Sequence, residues 1–235
     1  MGSIESIEFI INKKCLNGDD IINLVNILKT LEIRPNELRY GYNRDKCKDI
    51  FYYNCESTDY NDYLATLEEV SNTIAKDCGG MLGPFWFYNE EADTEHGFDL
   101  LISKNSFELT FFYTLSRRPK TFINKLINII KNLYLKTKPL IVQYYDGEEL
   151  EDEYISTYEQ LIKDGNPNII TGLTILSPEI VKNIGREKIL SAPIYRVEEL
   201  EDGGILILLD ENPFNHGFLT KKVKEVSEYL LRTEF

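Results

Sequence analysis

The sequence predicts an α+β fold of mixed, largely antiparallel sheets with helices packed on them in two layers. Three observations lead there. Strand-type runs follow one another directly as often as they alternate with helical ones, which argues against a doubly wound sheet. Short turn signals, Lys104-Asn105-Ser106 and Glu201-Asp202-Gly203-Gly204, sit between apolar runs and mark hairpins. Aromatics make up 12% of the chain, with 15 Tyr and 12 Phe, and many fall in β-type runs in its middle. At 235 residues the chain can bury a core without disulfide or metal staples. No low-complexity linker interrupts it, so one domain over 1–235 is expected, with a soft joint at Thr137-Lys138-Pro139 that could divide it into halves.

The elements follow in order. Ile7, Phe9 and Ile11 alternate with Ser6, Glu8 and Ile10, a strand pattern. Residues 17–31 carry Ile21, Leu24, Leu28 and Leu31 at helical spacing, and that helix must end before Pro35. Leu38, Tyr40 and Tyr42 alternate with polar neighbours and can pair with 50–53 across a charged turn. A helix over 59–77 has Tyr63, Leu67, Val70 and Ile74 on one stripe, with Gly79-Gly80 as its stop. Strands at 85–88, 98–103 and 107–115 form a meander, the first two joined by the polar stretch NEEADTEHG. Pro119 opens a helix bearing Phe122, Leu126, Ile129, Ile130 and Leu133. Next come a strand at 140–145, an acidic loop at 146–152 and a helix over 154–163 closing at Gly165.

The stretch 171–214 has the densest local signals. A β-type run at 171–176 stops at Ser177, whose hydroxyl can cap a helix that begins with Pro178 and Glu179. Gly185 can end that helix, 186–190 has room for one more turn, and Pro193 forbids continuation. Runs at 194–200 and 205–209 flank Asp202-Gly203, a pair suited to the positive φ angles of a hairpin turn. The second run, ILILL, is apolar on both faces, as an inner strand covered on both sides would be. Leu219, Val223, Val226 and Leu230 mark a last helix.

Composition narrows the function classes. A formal net charge of −13 and a pI near 4.7 repel phosphate backbones, so no nucleic-acid partner is expected, while a basic protein would be attracted. The charge is uneven: residues 145–235 hold 19 acidic and 9 basic side chains, net −10, against 20 and 17, net −3, before them. Cys15, Cys47, Cys55 and Cys78 show no C-x-x-C spacing and only two histidines exist, so no metal is expected and the cysteines read as the reduced thiols of a cytoplasmic protein. No apolar run is long enough to span a bilayer and the opening segment lacks a signal-peptide pattern, so no membrane association is expected. Nucleophile-elbow, Walker A, G-x-G-x-x-G and H-E-x-x-H patterns do not occur, and we expect neither catalytic residues nor a cofactor.

Four places remain as candidate sites. Glu90, Glu91, Asp93, Glu95 and His96 cluster within NEEADTEH, which would suit a divalent cation or a small-molecule enzyme, although the spacing is not that of a calcium loop and a solvated loop explains it too. His216, just before the last helix, reads more simply as a polar residue near a helix start. The acidic loop places Asp146, Glu148, Glu149, Glu151, Asp152 and Glu153 between Tyr145 and Tyr154, a mixture in which carboxylates could steer a basic partner and tyrosines anchor it. Glu198, Glu199, Glu201 and Asp202 on the hairpin would extend the same field.

One resemblance rests on this last region. The series LSPE, a short helix ending in Gly, a turn ending in LSAP, a hairpin with acidic residues before Gly-Gly, and a closing aliphatic strand followed by DENP resembles the C-terminal part of immunity proteins from bacterial polymorphic toxin systems. Those paired with restriction-endonuclease-like toxins are nearest in type. The resemblance implies an immunity protein that binds and neutralises a cognate, basic toxin, with type VI secretion as a route for that toxin, and it implies no chemistry. An enzyme built on the 90–96 cluster is the alternative.

Overall fold

A computed structural model describes residues 5–13, 15–35, 37–40, 51–54, 60–77, 79–89, 94–111, 113–146, 156–215 and 220–231. The strands are β1 (Glu5–Ile11), β2 (Arg34–Pro35), β3 (Glu37–Tyr40), β4 (Phe51–Asn54), β5 (Gly79–Asn89), β6 (Thr94–Ser103), β7 (Ser106–Phe111), β8 (Pro139–Asp146), β9 (Leu173–Leu176), β10 (Arg196–Glu199) and β11 (Ile205–Leu208). The helices are α1 (Gly18–Thr30), α2 (Tyr60–Asp77), α3 (Lys120–Thr137), α4 (Tyr158–Asp164), α5 (Pro178–Ile184), α6 (Arg186–Leu190) and α7 (Lys221–Leu231), with one 3-10 turn at Leu115–Arg117. The fold is α+β, and every strand pairing described within either of its two compact units is antiparallel. One unit is Lys13–Phe111; the other joins Met1–Asn12 to Phe112–Phe235.

In the Lys13–Phe111 unit, helix α1 starts where Asn17 and Asp20 satisfy each other's backbone amides in a capping box, at 2.9 and 3.0 Å. Its buried stripe is Ile21, Leu24, Val25, Ile27 and Leu28. The meander β5-β6-β7 forms as the sequence predicts, but β5 is longer than the expected 85–88 run. Gly79 and Gly80 pair with Ser103 and Ile102, so the glycines that stop α2 also begin a strand. Thr94, Glu95 and His96 belong to β6 rather than to a loop. The register slips between Leu82 and Phe85, around Gly83-Pro84, where proline offers no ladder donor. Phe98 holds the middle of the aromatic core, 5.7 Å from both Phe85 and Phe111. The expected hairpin appears as β3 paired with β4.

In the other unit the strand order is β10-β11-β9-β8-β1. The inner strands β11 and β9 are buried along their whole length, which is why ILIL carries no polar face. Helix α3 buries Phe122, Ile123, Leu126, Ile127, Ile129, Ile130, Leu133 and Tyr134. Thr137-Lys138-Pro139 lies inside this unit: Lys138, at φ +48°, caps α3 by donating to the Tyr134 carbonyl, and β8 starts directly after it. Ser177 accepts from the Ile180 amide, Pro178 takes the first turn of α5, and Gly185 at φ +101° joins α5 to α6. Helix α4 starts at Tyr158, capped by Thr157, later than the expected 154.

Buried side-chain hydrogen bonds tie the α4–β9 connection to its neighbours. Gln143 on β8 donates to the Ile169 carbonyl at 2.7 Å and accepts from the Tyr145 hydroxyl at 2.8 Å. Ser227 on α7 accepts from the Ile170 amide at 2.9 Å, and the Thr174 hydroxyl accepts from the Thr171 amide at 3.0 Å. Each satisfies a group whose burial unpaired would cost about 1–3 kcal/mol.

Candidate functional site

The β10–β11 hairpin is the acidic feature the structure describes most fully. Gly203, at φ +88°, donates to the Leu200 carbonyl at 2.9 Å, and Leu200 donates to the Gly204 carbonyl at 2.8 Å. Asp202 accepts from the Gly204 amide at 2.9 Å and so braces the turn from its own tip. Beneath the turn stands Tyr134 of α3, its ring fully buried. Burial first, and then the Asp202 carboxylate, push its phenol far above the ordinary range, so it remains an uncharged hydroxyl.

The four hairpin carboxylates are not equivalent. Glu198 accepts from Arg196 at 2.6 Å and from Lys131 of α3. Burial works to raise its pKa, but the bonds and charges of Lys131 and Arg196 outweigh that and hold it below the usual carboxylate range. Glu199 is paired with Arg186 of α6. Both are therefore engaged within the molecule. Glu201 and Asp202 are exposed at the tip, and among the described residues neither has an ion pair. The hairpin carboxylates without an ion pair among the described residues are those of the tip, on a turn whose backbone is already bonded.

The other sequence-derived candidates fare differently. Tyr145 is 5% exposed, and its hydroxyl is spent on Gln143: β8 is an inner strand buried on both faces up to Tyr145, so this tyrosine is no surface anchor. Asp146, the last residue of β8, is half-buried and lies opposite Glu5 in register. Glu148, Glu149, Glu151, Asp152, Glu153 and Tyr154 lie outside the described residues, as do Glu90, Glu91, Asp93 and His216. Among the described residues no group of three or more His, Cys, Asp and Glu could hold a metal.

Sequence reasoning missed one buried charge. Glu5 is 1% exposed and accepts from the Leu115 amide at 3.0 Å and the Tyr144 hydroxyl at 2.9 Å. Desolvation raises its pKa above the ordinary 4.5, against the lowering effect of those two hydrogen bonds. Tyr144 packs edge-on to Phe214 at 5.0 Å, and Arg118 lies 4.2 Å over the Tyr113 ring. The signal was available: Glu5 is in phase with Ile7, Phe9 and Ile11, so extending that alternation back two residues puts it on the buried face.

No protein-family model matches this chain, and no curated protein does. Among solved structures, the Pseudomonas aeruginosa T6SS protein PA0821 is similar, with a TM-score of 0.49 at 11% identity over 97% of this chain and 72% of that one. No helix among the described residues is long and apolar enough to cross a membrane.

Proposed function

We propose that this chain is an immunity protein that binds a basic protein toxin, a nuclease by the type of its resemblance, and neutralises it by covering the active or substrate site. It does so by binding alone, in the cytoplasm, without a cofactor. The observation that carries the reading is the braced hairpin tip. Glu201 is exposed on a turn that backbone hydrogen bonds and the Asp202 carboxylate hold in place, while Glu198 and Glu199 are held by neighbouring cations. A preorganised acidic projection loses little entropy on docking and can enter a basic groove. The net charge of −10 over 145–235 would steer such a partner toward this part of the chain. The likeness of 171–214 to toxin-system immunity proteins supports the same reading.

The test is coexpression with the product of the neighbouring toxin gene. A complex that survives purification, together with rescue of growth in cells making the toxin, is the expected result. Neither complex nor rescue would end the reading.

A further inference from the structure

Strand β10 is the last in its sheet order, and among the described residues it pairs only with β11. The hairpin decides which backbone groups that leaves over. Leu200 donates to the Gly204 carbonyl, and the register places Glu198 opposite Leu206 and Arg196 opposite Leu208. Residues 196, 198 and 200 therefore turn their backbone groups toward β11, and Val197 and Glu199 turn theirs toward the open edge. Side chains alternate as well: Arg196 and Glu198 share one face, where they pair at 2.6 Å and Lys131 joins Glu198, while Glu199 on the opposite face meets Arg186.

We propose that this edge is a self-complementary strand-pairing site whose occupant is β10 of a second copy of the chain, antiparallel and centred on Val197. For the two edges to exchange hydrogen bonds, residues with outward backbone groups must face each other. Centring on Val197 does this and sets Arg196 of each copy opposite Glu198 of the other, at the position where cross-strand side chains come closest. The nearest alternative registers put Glu198 opposite Glu198, or Arg196 opposite Arg196, so charge selects one register of the three. The pair within each chain becomes half of a ring of alternating charge. Edge charges usually block such pairing; here opposite signs stand at equal distances from Val197 and match their own two-fold image. A basic strand from another protein would meet Arg196 with like charge. The contact uses one patch twice and so closes as a dimer.

Sedimentation of the full chain from micromolar to millimolar concentration, at about 0.15 M salt where screening confines the charges to local effects, tests this. Wild type is expected to dimerise, and hydrogen exchange at the Val197 and Glu199 amides to slow as concentration rises. Arg196→Lys should stay within about fivefold of wild type, whereas Arg196→Glu, which turns two cross-strand attractions into repulsions, should weaken association about tenfold or more. Val197→Pro, which removes the central donor, should abolish it. Circular dichroism confirms that each variant is folded, and Arg196→Glu, a surface change, keeps the test alive if Val197→Pro is not. A chain that stays monomeric at millimolar concentration overturns the proposal. So does a dimer of equal strength in wild type and Arg196→Glu.

Discussion

A Cβ on Gly204 would stand 2.2 Å from the hydroxyl oxygen of Tyr134, and 2.9 Å from the Leu176 carbonyl oxygen. The acidic hairpin can lie on α3 and β9 only because residue 204 has no side chain. Gly204→Ala is therefore expected to destabilise the fold by about 1–3 kcal/mol, the usual cost of overpacking. Adding Tyr134→Phe should recover part of that loss and not all of it, because the Leu176 carbonyl and the ring carbon Cζ, each 2.9 Å away, remain in the way. Urea midpoints of the single and double variants measure both; full recovery would show that the Tyr134 hydroxyl alone sets the constraint.

Glu5 makes stability depend on pH. Its folded-state pKa is raised, so the native state holds the proton more firmly than the unfolded chain. Glu5's contribution to stability is then greatest below the ordinary value near 4.5 and falls as pH climbs through the folded-state value, by about 1.4 kcal/mol for each unit of the rise. Glu5→Gln keeps an acceptor for the Leu115 amide and the Tyr144 hydroxyl without a charge to bury. Thermal unfolding from acid to neutral pH should show wild type losing stability relative to Glu5→Gln as pH rises. Parallel profiles would remove Glu5 from the account.

Ser227 anchors α7 to the backbone at Ile170. Ser227→Ala leaves that buried amide without its acceptor and should cost about 1–3 kcal/mol. Chemical denaturation is the measurement, with the midpoint falling and the slope unchanged.

If the chain binds a basic toxin, the carboxylates should separate by their present engagements. Glu201→Lys should slow association at low salt while leaving the melting temperature nearly unchanged, since its exposed charge contributes little to stability, and the triple change of Glu149, Glu151 and Asp152 to Lys should slow association too. Glu199→Gln should change the association rate less, because Arg186 already offsets that charge. Stopped-flow association rates across a salt series give the comparison; equal rates for Glu201→Lys and wild type would move the docking surface off the hairpin tip.

What the sequence reveals of the fold is what neighbouring residues determine. Ser177-Pro178 and Gly185 are read correctly because caps are settled within a few positions, and the hairpin turn is placed correctly although Gly203 alone, not Asp202, takes a positive φ. The long stripe of α3 is equally plain. Gly79 and Gly80 mislead because the same residues that end a helix can pair with β6, a contact with Ile102 and Ser103 that no local pattern announces. Tyr145 looks like an anchor beside a run of carboxylates until β8, covered on both faces, and Gln143 take it into the core. The hairpin was found, but not the inequality of its carboxylates, because Lys131 and Arg186 arrive from other elements. Only the Arg196–Glu198 pair, two positions apart on one strand face, was legible in advance.

Strand β1 pairs with β8 from Glu5 opposite Asp146 to Ile11 opposite Pro139, with residues 12–138 between them. On a ribosome adding roughly 5–20 residues per second, the first strand emerges on the order of ten seconds before the one it pairs with in this unit. During that interval Ile7, Phe9, Ile10 and Ile11, all buried in the finished protein, have no β8 to lie against. The growing chain thus carries this apolar strand without its β8 partner while residues 12–138 are made, and slower decoding between the two strands would lengthen the time in which it can pair wrongly.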